Sequence, residues 1–168
     1  MMFQIFKKKE PVVLYAPVTG TSVALENVPD QVFAQKMMGD GIAFMPETDT
    51  ICAPCNGKIT MVAHTLHAVG ITADNGAEIL IHIGLDTVSL NGKGFTALVN
   101  VGDKVKKGTP LIQIDMAFMK EQQMVLTTPM VVTNTSEFSM VIEEAGSHVI
   151  MGRTRYYISI NKRRENQS

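Results

Sequence analysis

Between residues 11 and 160 the chain is a succession of short apolar segments rich in Val, Ile and Thr, each closed by Gly, Pro, Asn or Asp. β-Branched residues suit a pleated, half-buried surface, and runs of this length bounded by turn formers read as strands. Candidate strands are Val12 to Tyr15, Thr21 to Leu25, Gly41 to Met45, Lys58 to Val62, Ala68 to Ala73, Ala77 to Ile83, Thr109 to Ile114, Met130 to Val132, His148 to Gly152 and Tyr156 to Ile160. So many short strands must hide their edges. The predicted fold is therefore all-β, an antiparallel sandwich or barrel-sandwich hybrid. Two short helical turns fit within it, one after Pro29-Asp30 and one opened by Asp115 as N-cap before Met116 to Glu121. Ala16-Pro-Val-Thr-Gly20 and Ala53-Pro-Cys-Asn-Gly57 share A-P-x-x-G, and each leads into a strand pattern, which suggests a duplicated motif.

A chain of 168 residues supports a single domain, here expected over residues 11–160, with a short tail at 1–10 and a frayed end at 161–168. At 45% apolar and 18% charged residues the composition is that of a packed globular protein. A net charge of -1 lacks the basic footprint of a nucleic-acid binder. No apolar run reaches the roughly 18 to 20 residues of a membrane-spanning helix. At the start, Lys7 to Lys9 follow the apolar residues, the reverse of a secretory signal. With only Cys52 and Cys55, no disulfide framework is available, and a cytoplasmic protein is expected.

The segment Thr65 to Asp86 holds the most informative geometry. Asn75-Gly76 lies between two strand patterns, and Asn-Gly is a strong hairpin signal because a type I′ turn needs positive φ at both central residues. If those two residues form the loop, Val69 faces His82, and His67 becomes the diagonal neighbour of His82 at roughly 7 to 8 Å. The same alternation puts Thr65 beside His67 and places Gly84 and Asp86 with His82, while His64 points away. A lone histidine on a half-buried strand is usually only a polar residue on its outer face. Two that converge beside a glycine suggest chemistry. A neutral imidazole is a nucleophile near pH 7, and a second ring N–H can donate to charge on a transferring group. Phosphoryl transfer needs little more than such placement and charge compensation. Two histidines and a carboxylate can also hold zinc, so metal binding competes with that reading.

Taken in order, Ala16-Pro-Val-Thr-Gly20, Val28 to Ala34, Gly39 to Ala43, Ala53-Pro-x-x-Gly57, Thr65-x-His67, His82-Ile-Gly-Leu-Asp-Thr-Val88, Leu90-x-Gly-x-Gly-Phe95 and Thr128-Pro129 form a specific set. Over nearly its whole length the chain resembles the glucose-type enzyme IIA domain of the phosphoenolpyruvate-dependent sugar phosphotransferase system. The resemblance implies a β-sandwich phosphotransferase component that accepts phosphate from phospho-HPr on a histidine and passes it to a sugar-specific IIB domain. His82 matches the phosphorylated nucleophile. By the same match His67 is the auxiliary histidine that stabilises the phosphoryl group, Thr65 orients His67, and Asp86 lies near the site.

An acceptor that meets two proteins in turn needs a shallow site with an adaptable apolar rim. Val32 and Phe33 match the family's docking patch, and Met37 and Met38 suit the same role. The resemblance requires no cofactor. In related proteins the two histidines share a zinc ion with a carboxylate of a regulated partner, so permeases or kinases are further candidate partners, and zinc at His67 and His82 belongs to such an interface. The Cys52-x-x-Cys55 pair departs from the family and reads as two small residues in a β turn; its spacing to His64 is too short for a zinc finger. The tail joins apolar residues to three lysines and offers at most weak membrane contact. Two other classes compete. A lipoyl- or biotinyl-type carrier is suggested by the turn at Val101 to Leu111, but the Met-Lys-Met or Asp-Lys-Ala triplet of such carriers is absent. A regulatory protein that senses phosphate or zinc without onward transfer would use the same histidines.

Overall fold

The computed structural model describes residues 11–153 and 158–163. Fourteen strands follow in chain order: β1 (Val12–Leu14), β2 (Gly20–Ala24), β3 (Asp40–Pro46), β4 (Thr50–Cys52), β5 (Gly57–Val62), β6 (Ala68–Ala73), β7 (Glu78–His82), β8 (Phe95–Ala97), β9 (Lys104–Val105), β10 (Pro110–Ile114), β11 (Thr128–Val132), β12 (Phe138–Ile142), β13 (His148–Val149) and β14 (Ile158–Lys162). All pair antiparallel, in an eight-stranded sheet of order β13-β2-β3-β11-β7-β6-β5-β9 and two three-stranded sheets, β1-β14-β12 and β4-β10-β8. The fold is the expected all-β sandwich. Its two short helices, α1 (Gln31–Ala34) and α2 (Met116–Glu121), stand where their caps put them. The Asp30 carboxylate accepts from Val32 N–H at 2.9 Å, and that of Asp115 from Phe118 N–H at 3.0 Å, each satisfying a donor the first helical turn leaves free.

Four strands escape the sequence pattern: β4, β8, β9 and β12. Their two to five residues carry little periodicity, and their pairing is decided by distant partners, Cys52 with Pro110 and Phe138 with Lys162 among them. The final ladder runs beyond Ile160. Asn161 and Lys162 lie opposite Ser139 and Phe138, so the chain is paired where fraying was expected. The tail at 1–10, with its membrane reading, lies outside the described residues, as do Tyr156 and Tyr157.

The duplicated A-P-x-x-G motif proves to be a pseudo-twofold unit. Its copies pair with each other: Tyr15 N–H donates to the Pro54 carbonyl and Cys52 N–H to the Pro17 carbonyl, both at 2.8 Å. Gly20 lies between Pro46 of β3 and Val149 of β13, and Gly57 lies likewise between Ala73 of β6 and Val105 of β9. Both glycines are needed for close approach. A Cβ on Gly20 would sit 1.9 Å from the Met45 carbonyl oxygen, and one on Gly57 2.4 Å from that of Thr72. The eight-stranded sheet therefore reads alike from both ends, with the local axis between β7 and β11 where Ile81 faces Met130. Its inner face supplies Ile42, Phe44, Ile59, Val69, Ile71, Ile79, Ile81 and Met130 to the main core. The outer face carries a smaller cluster that includes Leu25, Phe33, Ala43, Ala68, Leu80 and Val131.

In the β6–β7 hairpin the register differs from expectation by one residue. Ala68, not Val69, faces His82, and the loop is Asp74-Asn75-Gly76, closed by Ala73 N–H donating to the Ala77 carbonyl at 2.8 Å. The cause is tertiary. The Asn75 side chain is buried, donating to the Ile160 carbonyl at 3.0 Å and accepting from Ala77 N–H at 3.1 Å. With Asn75 drawn inward, Gly76 at φ 89° completes a three-residue loop, the arrangement in which glycine takes the left-handed position.

Candidate functional site

With Ala68 opposite His82, strict alternation would send the His67 side chain toward the core. It does not go there, because β6 begins one residue later. Ala63 to Leu66 form a tight turn, with Leu66 at φ 59°, and the chain enters the strand through His67. Ile83 N–H still donates to the His67 carbonyl at 2.6 Å, which ties the two ends together. The rings of His67 and His82 consequently meet edge to face, centroids 4.9 Å apart and planes at 78°. The adjacency expected from the sequence exists, reached by a positive-φ turn and not by ladder parity.

Each ring is held by one nitrogen. Nδ1 of His82 is 2.8 Å from the Gly84 carbonyl oxygen, and Nδ1 of His67 is 2.6 Å from the Thr65 hydroxyl. Gly84 has φ 76°, and a Cβ there would lie 2.6 Å from Cγ2 of Thr87 and 3.0 Å from the Val125 carbonyl oxygen, so this turn admits only glycine. Thr87 is fully buried and donates to the Ile83 carbonyl at 2.5 Å, closing the turn from below. Burial lowers the pKa of His82, opposed by its bond to Gly84 and by the charges of Asp30 and Asp86. Burial also lowers that of His67, and the neighbouring His82 adds to the effect. Both imidazoles are thus biased to the neutral form at pH 7. Asp86 is exposed at φ 60° and acts on His82 through its charge. His64 is exposed on the preceding turn.

The predicted docking residues divide. Val32, Met37 and Met38 are 41%, 69% and 40% exposed, whereas Phe33 is only 4% exposed. Phe33 is a wall of the site: its ring lies 5.0 Å from that of His82, on the side away from solvent that the outer cluster fills. It offers a partner almost no area. Two contributors escaped the sequence reading. Asp30 was legible only as the residue before a helical turn, although its charge reaches His82, and Val88, 53% exposed, extends the apolar rim from within the H-x-G-x-D-T-V motif itself.

The donor set limits what metal the site could take. With both Nδ1 atoms engaged, two Nε2 atoms are left for a cation, and among the described residues no group of three or more His, Cys, Asp or Glu could hold one. Half of a tetrahedral zinc shell is present. Cys52 and Cys55 are buried free thiols; burial raises both, and Cys55 is pushed up to about 12 with the Asp74 charge adding to it. Thiols so protonated are poor nucleophiles and poor ligands.

Residues 12–138 match the family model described as phosphoenolpyruvate-dependent sugar phosphotransferase system, EIIA 1. Among solved structures, glucose permease IIA from Mycoplasma capricolum aligns with a TM-score of 0.76 and 34% identity, covering 95% of this chain and 99% of that one. Csd3 of Helicobacter pylori aligns at 12% identity over 94% of this chain and 36% of its own, with a TM-score of 0.40, too distant to bear on fold or function. No described helix is long and apolar enough to cross a membrane. From the family match over most of its length and the near-complete alignment to a IIA protein, the chain belongs to the EIIA type 1 family of the sugar phosphotransferase system, and it is a phosphocarrier in sugar uptake.

Proposed function

We propose that Nε2 of His82 is the atom that carries the phosphoryl group. The observation that supports this most is the hydrogen bond from Nδ1 to the Gly84 carbonyl. A carbonyl oxygen only accepts, so Nδ1 keeps its proton and the neutral ring presents its lone pair at Nε2. Burial holds the ring neutral. As the phosphoryl group arrives, the bond from phosphorus to the donor nitrogen breaks and a bond to Nε2 forms. The proton stays on Nδ1, donated to the Gly84 carbonyl, which disperses the positive charge the ring acquires.

His67 supplies the electrostatic support. A Thr65 hydroxyl that donates to Nδ1 leaves the proton of His67 on Nε2, facing the phosphoryl oxygens from a ring set edge-on to His82. Donors fixed before charge develops lower the barrier without reorganising. Phospho-HPr is the donor and a sugar-specific IIB domain the acceptor, both meeting the rim of Val32, Met37, Met38 and Val88. Regulated permeases or kinases would meet the same rim, and a zinc ion would use the same two Nε2 atoms and draw its remaining ligands from such a partner. The similarity to a glucose permease IIA supports glucose as the sugar served.

The test supplies phosphoenolpyruvate, enzyme I and HPr and follows acid-labile, base-stable label. His82→Ala takes none. His67→Ala is labelled but hands phosphate to IIB about a hundredfold more slowly, the usual cost of one preorganised donor. Label retained by His82→Ala moves the acceptor elsewhere, and undiminished transfer by His67→Ala removes its supporting role. A protein that accepts label but never passes it to any IIB domain is a sensor.

A further inference from the structure

At the far end of the outer sheet face, β5, β6 and the edge strand β9 enclose a groove of about 630 Å³. Lys58, Lys104 and Lys106 line it, Thr60 and Thr72 form its floor, and Asp74 is its single carboxylate. Lys107 follows at once, its Nζ 3.8 Å above the Tyr15 ring in an adjoining cavity. Among the described residues none of these four lysines forms an ion pair with a carboxylate, whereas Lys36 is held by Glu26 and Asp40. The protein as a whole is nearly neutral, so this is a local field.

The pseudo-twofold shows that the fold does not require it. The register that puts Lys58 opposite Lys104 puts Thr21 opposite His148 in the other copy, and Ile150 and Met151 stand where the second copy has Lys106 and Lys107. His148 is moreover paired with Glu47 at 3.0 Å. Corresponding edge pairings with lysines on only one of them point to a ligand and not to architecture.

We infer that the groove between β5, β6 and β9 binds an extended acidic segment of a partner protein, held by Lys58, Lys104, Lys106 and Lys107. Shape favours a chain over a flat bilayer, because the lysines line a groove together with Asn56, Gly57, Ala73 and Val105, and lysine stems can pack along an extended segment laid in it. The Thr60 hydroxyl of the floor, which accepts from Thr72 at 3.4 Å, can donate to a carboxylate or to a bound backbone. Thr72 and His82 share the outer face of the hairpin, Thr72 opposite Glu78 and Ala68 opposite His82, so the groove lies roughly 13 Å along β6 from the histidine pair. A bound segment there leaves His82 open. The inference is independent of phosphoryl chemistry.

The experiment titrates a decaglutamate peptide into 15N-labelled protein and reads amide shifts, with phosphatidylserine vesicles in a parallel sedimentation arm. Shifts are expected at 56–60, 72–74 and 104–107, in the wild type and equally in His82→Ala. Lys58→Gln/Lys104→Gln/Lys106→Gln should bind at least about tenfold more weakly, and raising salt from about 50 to about 200 mM should weaken the wild type strongly. Lys104→Glu alone, read the same way, serves if the triple variant melts early. Shifts elsewhere, affinity unchanged in the lysine variants, or vesicles bound in preference to the peptide would overturn the proposal.

Discussion

The copy built from β2, β3 and β13 and the copy built from β5, β6 and β9 pair alike over their first residues and part at a bulge between Ile59 and Met61 that only β5 has, and a histidine site grows on only one of them. Where β6 sets Ala68 against His82, β3 sets Gly41 against Val131, which is fully buried. Their connections differ as well. From β5 to β6 the chain turns within Ala63 to His67, while from β2 to β3 it runs through a 3-10 turn at Leu25–Asn27 and α1. Both connections end at His82, one bringing His67 within 4.9 Å and the other Phe33 within 5.0 Å. A duplicated scaffold thus makes an asymmetric site through one short loop, one long loop and a few side chains. Symmetry supplies position, and the chemistry comes from where it is broken.

The largest expected effect comes from copying the histidine across the axis. Val131→His should lower stability by about 3 to 4 kcal/mol, since a polar ring would enter the packed cluster of Leu25, Phe33 and Ala43 without a partner. It should also take no label in the transfer assay. A stable, labelled Val131→His would show the two positions to be equivalent. Next are the paired glycines. Gly20→Ala and Gly57→Ala should each cost about 2 to 3 kcal/mol by denaturant unfolding, Gly20 the more because its added Cβ falls 1.9 Å from backbone oxygen against 2.4 Å. A cost at only one of them would break the structural equivalence of the repeats.

Smaller effects sharpen the asymmetry. Thr65→Val should slow onward transfer by about tenfold with little change in melting temperature, and Thr65→Ser should restore it, because only the hydroxyl orients His67. The acid side of the stability curve is the most modest test. Both histidines have folded pKa values below their ordinary value. Their contribution is therefore complete above about pH 6.5 and is lost as pH falls through the depressed folded values. Melting temperature should decline over that window, and less in the His67→Ala/His82→Ala variant. An equal decline in both proteins would place the titrating groups elsewhere.

Legible in the sequence alone were most of the strand pattern, the helical turn after Asp30 and the cap at Asp115, the duplication marked by Gly20 and Gly57, and the identity of the histidine pair, because each depends on neighbours in the chain or on a motif of fixed spacing. The hairpin register was not legible there. The inward turn of Asn75 answers to Ile160, more than eighty residues away, and nothing local reveals it. Phe33 likewise read as a docking residue until packing put it beneath His82, and the charge of Asp30 reached the site only once α1 was laid across the sheet. Tertiary structure decided which ring nitrogen stays free, through a carbonyl at Gly84 whose position rests on a positive φ and on the packing of Thr87 and Val125. Local rules choose conformations, but only long-range contacts set the distances between groups that the chain keeps apart.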